Sequence, residues 1–343
     1  MKSKTKQRLK KSDISKLIWK HFGVRKFHVS ELKGGMFNTI YRICLEDTKE
    51  EVILKAGVIS NPCLLTYEQD LISVEVECYR LIQEQTSIPI SKVLAYDVSK
   101  EDIASNYFFM TALQGVPLSS VKRSLRKEEL SLIRRQQAEY LHQLHDIQNQ
   151  YYGYVTNEAF KRYPTWEEAF LAMFQQLMQD AHQRNIHLPY DKINEVLKKN
   201  TDLLSQVKTA SLVMFDCHDG NLLVKDHGNG YEIEGILDFE RAFWGDPIAE
   251  LSAAFVFTRD IQQETDFMKR YLQVTHKREF SDEDHRRYQL YRLYLMTIMA
   301  SEVGRYGYFY GLLQGIWAKK ELRICLKKLD VSDSLKPNSK TRK

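Results

Sequence analysis

Two stretches decide how this chain is read: "MFDCHDGNLLV" at residues 214–224 and "GILDFERAFWGDPIAEL" at residues 235–251. The first sets Asp216, Cys217, His218, Asp219 and Asn221 close together and then turns apolar. A cysteine beside a histidine raises the question of zinc or of a thiol nucleophile. A zinc site draws Cys and His ligands from more than one place, whereas adjacent residues send their side chains apart. No second histidine stands out as a base for a Cys217 nucleophile. The Asp and Asn residues therefore carry more information than the Cys and His.

Residues 221–238, "NLLVKDHGNGYEIEGILD", read as a β-hairpin. Asn229-Gly230 favours a two-residue type I′ turn, in which both central positions need positive φ. That turn sets Lys225 opposite Glu234, Leu223 opposite Ile236 and Asn221 opposite Asp238. Two oxygen-bearing side chains at the open end, with Asp216 just upstream, suit a hard cation such as Mg²⁺ shared with phosphates.

Asp, four residues, Asn, and then a hairpin ending in Asp is the catalytic-loop grammar of kinases. The two stretches resemble the aminoglycoside phosphotransferase and choline-kinase-like family. Its loop usually reads His-Gly-Asp, four residues, Asn, followed by Ile-Asp-Phe/Trp-Glu and Gly-Asp-Pro. The resemblance extends from about Phe27 to Cys325. It implies an α+β, two-lobed protein-kinase-like fold, with a small β-rich N-terminal lobe and a larger, mostly helical C-terminal lobe. It also implies ATP and Mg²⁺ as cofactors, and transfer of the γ-phosphate to a hydroxyl of a small molecule.

Carried over residue by residue, the resemblance makes Asp216 the catalytic base and gives Mg²⁺ to Asn221 and Asp238. Lys55 in "VILKAG" would grip the nucleotide phosphates, and Glu75 in "SVEVECYRLI" would pair with Lys55. The backbone of Thr111 to Leu113 would meet the adenine. Gly34 and Gly35 in "LKGGMFNTIYRI" would let backbone amides approach phosphate.

Length and composition agree with two lobes and a cleft: 343 residues, 43% hydrophobic. We divide the chain into a basic tail and short helix (1–26), a nucleotide-binding lobe (27–113), a catalytic and substrate lobe (114–330) and a basic tail (331–343). Short β-branched or aromatic runs from Phe27 to about Met110 read as strands. One helix interrupts them, with an apolar stripe of Leu71, Val74, Cys78, Leu81 and Ile82 and with Glu75 beside it. After residue 118 the periodicity is helical, and residues 221–238 form the only clear strand pair. Tyr288, Tyr291 and Tyr294 read as core, and His142 and His145 as helix packing.

Cysteines at 44, 63, 78, 217 and 325 form no CxxC pair, and the charged opening leads into no apolar segment, so a reducing, cytoplasmic setting is expected. No run of about 18 apolar residues exists, so no membrane association is expected. The formal charge of +5 is concentrated in the two ends, which argues against a nucleic-acid partner. Residues 211–250 carry nine acids against Lys225 and Arg241, which favours a hydroxylated small-molecule acceptor of cationic character, such as an aminoglycoside, an amino sugar or choline.

Met214 and Phe215 stand where the family usually has His and Gly, so the hydrogen bond that orients the loop should be missing or replaced by apolar packing. Seven residues between Asp238 and Asp246 leave no room for a protein-kinase activation segment. The competing reading is a nucleotide-binding pseudokinase or scaffold, against which the retained Lys, Glu, Asp, Asn, Asp set weighs.

Overall fold

Alternation builds the small lobe. In "TIYRICL" every second residue is buried, so Tyr41, Ile43 and Leu45 line one face of a strand. The computed structural model describes residues 6, 8–32, 37–59, 64–156, 158 and 161–331; Gly34 and Gly35 lie outside them. The elements of this lobe are α1 (Lys11–Phe22), β1 (Phe27–Glu31), β2 (Thr39–Leu45), β3 (Glu51–Ala56), α2 (Leu71–Gln85), β4 (Val93–Asp97) and β5 (Tyr107–Thr111). The five strands form one antiparallel sheet in the order β1-β2-β3-β5-β4.

Helix α1 covers one face of this sheet, with Ile14, Leu17 and Ile18 packing among Tyr41, Ile43, Leu54 and Phe109. Helix α2 belongs to the other face, with Ile53, Phe108 and Met110. Lys55 follows Ile53 by two and so shares that second face. The buried stripe of α2 is Leu71, Ile72, Glu75, Val76, Cys78, Tyr79 and Ile82. Glu75 thus lies on the stripe, not beside it, and Val74 and Leu81 are only half-buried. A charged residue inside an apolar face misled the periodicity, and its ion pair with Lys55 is what permits the burial.

The large lobe contains β6 (Val116–Pro117), α3 (Leu118–Val121), α4 (Lys127–His145), β7 (Gln148–Asn149), β8 (Gly153–Tyr154), α5 (Trp166–Gln183), α6 (Tyr190–Lys199) and α7 (Thr201–Ser205). It continues with β9 (Ala210–Val213), β10 (Leu222–Asp226), β11 (Tyr231–Ile236), β12 (Phe243–Gly245), α8 (Ile248–Ala254), α9 (Thr265–Val274), α10 (Asp282–Ser301) and α11 (Tyr308–Val331). Tyr288, Tyr291 and Tyr294 are fully buried core residues, as expected.

The strand pair of the second half is not alone. Strands β7, β9, β12 and β8 form a four-stranded sheet, and β6 joins the hairpin of β10 and β11. These strands have two to four residues each, except the hairpin, too few to show a period of two. Strand β12 pairs with β9, Phe243 opposite Val213 and Trp244 opposite Leu212. The chain that leaves at Val213 therefore returns beside itself at Phe243, and the excursion between them carries Asp216, Asn221 and Asp238.

The hairpin departs from its expected register. Asp226 opposes Tyr231, Lys225 opposes Glu232, and beyond an irregularity at Leu223/Val224 Leu222 opposes Ile236. The loop spans four residues, with the His227 N–H bonded to Gly230 O. Positive φ falls on Gly228 (86°) and Gly230 (139°), so Asn229-Gly230 does not form the two-residue turn. Asn221 consequently faces Leu237, whose N–H donates to its carbonyl at 2.9 Å, and does not oppose Asp238.

Candidate active site

Four charged side chains from three elements meet where the lobes face each other. Lys55 Nζ lies 2.6 Å from Glu75 Oε2, 2.7 Å from Asp238 Oδ1 and 3.2 Å from Glu240 Oε2. Lys55 and Glu75 are almost wholly buried. Asp238 has φ 72°, which takes it out of the alternation of β11 and turns it toward the lysine. Burial opposes the charge on Lys55, but Asp238, Glu75 and Glu240 outweigh it and hold its pKa well above the usual value. Burial pushes Glu75 up to about 7, against the pull of Lys55.

Glu240 is also held well above the usual carboxylate range, through burial and the adjacent Asp238. Its side chain hydrogen-bonds to Asp238. Asp238 moves the other way: burial raises its pKa, yet Lys55 brings it below the ordinary value. Asn38 at the start of β2 donates to Glu240 Oε2 at 2.6 Å, a second buried link across the lobes.

The loop between β9 and β10 is held from below by a residue to which the sequence reading gave no role. Glu250 in α8 accepts the N–H groups of Met214 and Phe215 on one oxygen, at 2.8 and 3.0 Å, and that of Cys217 on the other, at 3.2 Å. This corrects the expectation that the loop's orienting hydrogen bond is missing or replaced by apolar packing. Met214 and Phe215 do pack into the core, but a fully buried carboxylate organises their backbone. Phe215 sits at φ 56°, where glycine is the unstrained choice, and the Glu250 contacts to its N–H and its neighbours' help hold it there. The clue was present in "GDPIAEL": an acid four residues after Asp246, on the first turns of a helix.

Asp246 anchors that helix. It accepts the Ile248 N–H at 3.0 Å and the Tyr291 hydroxyl at 2.7 Å, and pairs with Arg287 at 2.9 Å. Asn221 closes the loop by donating its side-chain amide to Asp216 O at 2.9 Å. That leaves its Oδ1 as an acceptor.

Asp216 stands at the surface of this loop with its carboxylate partly exposed, 3.6 Å from His218 Nε2. Burial raises its pKa, while the His218 and Arg241 charges pull it back. Cys217 is fully buried, burial pushes its thiol well up, and Gln137 holds its carbonyl at 3.0 Å. It is neither a nucleophile nor, among the described residues, part of a metal cluster. Asp219 pairs with Lys122 and Arg134, both at 2.7 Å. Of the nine acids between residues 211 and 250, Asp219, Asp238, Glu240 and Asp246 are paired with cations from elsewhere in the chain.

Beyond Asp216 runs a second ionic chain that the sequence did not show. Arg241 pairs with Glu302 at 3.2 Å, Glu302 with Arg305 at 3.5 Å, and Arg305 with Glu68 at 2.6 Å. These residues are scattered through the sequence and share no motif.

At the junction of the lobes the Thr111 N–H is committed to Lys92 O and the Ala112 N–H to Glu51 O. Arg42 donates to Leu113 O at 3.1 Å. Among the described residues the Leu113 N–H has no hydrogen bond. The oxygens available for a metal suit a hard cation: carboxylate oxygens of Glu75, Asp238 and Glu240 lie within 4.8 Å of one another, and no sulfur or imidazole is among them.

A sequence model described as the phosphotransferase enzyme family matches residues 28–291, more than three quarters of the chain. The chain belongs to that family. No curated protein matches this phosphotransferase family member in sequence. Solved structures do match in fold. Aminoglycoside phosphotransferase APH(4)-Ia, solved as a thermostable mutant in ternary complex with AMP-PNP and hygromycin B, is 15% identical with a TM-score of 0.62, covering 92% of this chain and 98% of that one. A protein of Ralstonia eutropha JMP134 assigned as an aminoglycoside phosphotransferase is 13% identical with a TM-score of 0.65, over 94% and 99% of the two chains. APH(2")-IIa in its ternary complex with streptomycin and ATP is 15% identical with a TM-score of 0.56, over 92% and 97%. The α+β, kinase-like, two-lobed fold of this phosphotransferase is thereby established.

Proposed function

We propose that this protein is a small-molecule kinase that transfers the γ-phosphate of ATP to an alcohol hydroxyl, with Asp216 as the base. The observation that carries the reading is the buried convergence of Lys55, Glu75 and Asp238, drawn from β3, α2 and the end of the hairpin. A fixed ammonium held by two acids in a dry cleft is the arrangement that positions nucleotide phosphates, since phosphoryl transfer asks the protein chiefly for placement and charge. The Leu113 N–H, which has no hydrogen bond among the described residues, would meet a purine edge.

Mg²⁺ would be held by Asp238 and by Asn221 Oδ1, where it would neutralise charge on the transferring phosphate. Asp216, whose carboxylate faces solvent beside the loop, would accept the acceptor's hydroxyl proton as the new bond forms. The acceptor is a small hydroxylated molecule of the cationic kind, in keeping with the aminoglycosides named in the structures of APH(4)-Ia and APH(2")-IIa. The seven residues between Asp238 and Asp246 leave no room for an activation segment, which favours a small-molecule acceptor over an extended peptide.

The test is ADP release by purified protein in Mg·ATP across a panel of hydroxylated antibiotics, amino sugars and quaternary amino alcohols. An acceptor-dependent rate that vanishes in Asp216→Asn supports the reading. Tight nucleotide binding with no acceptor-dependent rate across the panel, and equal residual hydrolysis in wild type and Asp216→Asn, would favour the scaffold instead.

A further inference from the structure

Among the described residues, one face of the large lobe is apolar and unpartnered. Helix α11 opens with "YFYGLLQGIW", and its Tyr308 and Phe309 are each 79% exposed, Leu313 67%, Ile316 60% and Leu312 49%. Phe257, in the loop after α8, is 81% exposed and extends the patch through its contact with the Trp317 ring, centroids 5.5 Å apart. Positions 309, 312, 313 and 316 repeat at helical spacing and form one stripe. The opposite side of the same turns is inside: Gln314 reaches Met299 O, and a Cβ on Gly311 would lie 2.6 Å from Val303 O. The exposed stripe is therefore not a core face waiting for another part of the described fold.

We propose that a second copy of this chain covers the patch, as a two-fold dimer in which the α11 helices cross antiparallel at Leu312 and Leu313. Area is the first argument. A large aromatic side chain carries about 150–250 Å², so Tyr308, Phe309 and Phe257 alone expose several hundred Å², the upper limit of what soluble monomers present. With Leu312, Leu313 and Ile316 the patch reaches the order of 800 Å², the contribution of each partner to a standard interface.

Charge supplies the second argument and sets the orientation. Beyond Ile316 the same stripe continues as Lys320, Arg323 and Lys327, all exposed. Parallel pairing would stack these cations against their copies in the partner. Antiparallel crossing at the apolar half sends the two basic halves to opposite ends, and it sets the aromatic pair Tyr308 and Phe309 against the partner's Ile316 and Trp317. The aliphatic centre of the stripe then meets itself across the axis, as an isologous interface requires.

The dimer would also buttress the site. Tyr306, two residues before α11, donates its hydroxyl to Glu302 at 2.9 Å, and Glu302 pairs with Arg241, whose charge acts on Asp216.

Sedimentation equilibrium of the full chain, from below 1 to about 100 µM, reads the proposal directly. Wild type is expected at twice the mass of the 40.4 kDa chain, and Leu313→Glu at the single mass with its circular dichroism and Mg·ATP affinity kept. Because an inserted charge can disturb folding, a second measurement uses oxidative crosslinking: Leu313→Cys should form an intermolecular disulfide, and Lys327→Cys should not. A monomeric wild type throughout the range overturns the proposal. So does a dimer that survives Leu313→Glu, or crosslinking at Lys327→Cys in place of Leu313→Cys. A monomer that instead sediments with phosphatidylglycerol vesicles, losing this in Leu313→Glu, would give the patch to a lipid surface and likewise overturn it.

Discussion

Lys55 and Asp238 stand 183 positions apart in sequence and 2.7 Å apart in the fold, and this one ion pair joins the two lobes at the point where phosphates would bind. Both charges are costly to bury alone. Lys55→Met removes the cation but keeps a stem of similar length in the apolar surroundings of β3. It should lower Mg·ATP-dependent turnover by about 10²-fold or more. Thermal melting should separate this from unfolding, because Glu75, already poised near 7, can take up a proton when its partner is gone. Wild-type turnover in Lys55→Met would remove the residue from the site.

Asp216 and Asp238 should fail in different ways. Asp216→Asn keeps Lys55 and its acids untouched, so nucleotide affinity by calorimetry should hold while kcat falls by about 10²- to 10⁴-fold. Asp238→Asn strips the ionised carboxylate from Lys55 and from the metal, so Mg·ATP affinity and turnover should drop together. The reverse pattern would exchange the two roles. Because burial raises the pKa of Asp216, the acid limb of the kcat/KM profile should lie above the range of an ordinary aspartate.

The hairpin transmits to the hinge through Gly235. A Cβ there would lie 2.2 Å from Leu113 Cδ1, the far end of a side chain whose backbone sits at the lobe junction. Gly235→Ala should therefore push Leu113 aside and raise the KM for ATP several-fold, with kcat and melting temperature little changed. An extra glycine inserted after Gly228 should be silent, since His227, Gly228 and Asn229 at the tip are exposed and the irregularity at Leu223/Val224 separates it from Asn221. Loss of Mg²⁺-dependent activity in the insertion variant, with an unchanged KM in Gly235→Ala, would contradict this.

The parts of this site that a sequence can show are those held by short-range grammar. Asp216, Asn221 and Asp238 keep fixed spacings because one loop and one hairpin carry them, and Lys55 stands near the end of a short apolar run bounded by acids and glycine. Register is different: it depended on where positive φ falls among His227, Gly228, Asn229 and Gly230, and two glycines competed with the Asn-Gly pair. Glu75 was legible as a partner for Lys55, but its burial was not, because periodicity counts it as polar. Arg241, Glu302, Arg305 and Glu68 could not be seen together at all, since only the packing of α10 against the lobe junction brings them into one chain.

Glu250 gives the most exposed test, because it acts on the loop without touching substrate. It is fully buried, accepts three backbone N–H groups, and burial lifts its pKa to about 7. In the unfolded chain the carboxyl would titrate near its ordinary value of 4.5. The folded state thus holds the proton more tightly, and νN exceeds νU between the two values, so stability falls as pH rises from about 4.5 to 7 and is flat outside that window. The shift amounts to roughly 3 kcal/mol at most. Glu250→Gln cannot titrate, and its urea midpoint should lose that slope between pH 4.5 and 7 relative to wild type. The amide offers one oxygen where the carboxylate offered two, so the Cys217 N–H meets an NH₂ group. Asp216 should then be poorly placed, with kcat reduced and Mg·ATP affinity kept. Glu250→Ala orphans all three donors and should cost about 1–3 kcal/mol for each one left buried without water. If Glu250→Gln shows the wild-type pH slope, or if its kcat is unchanged while its stability falls, the carboxylate is not what orients this loop.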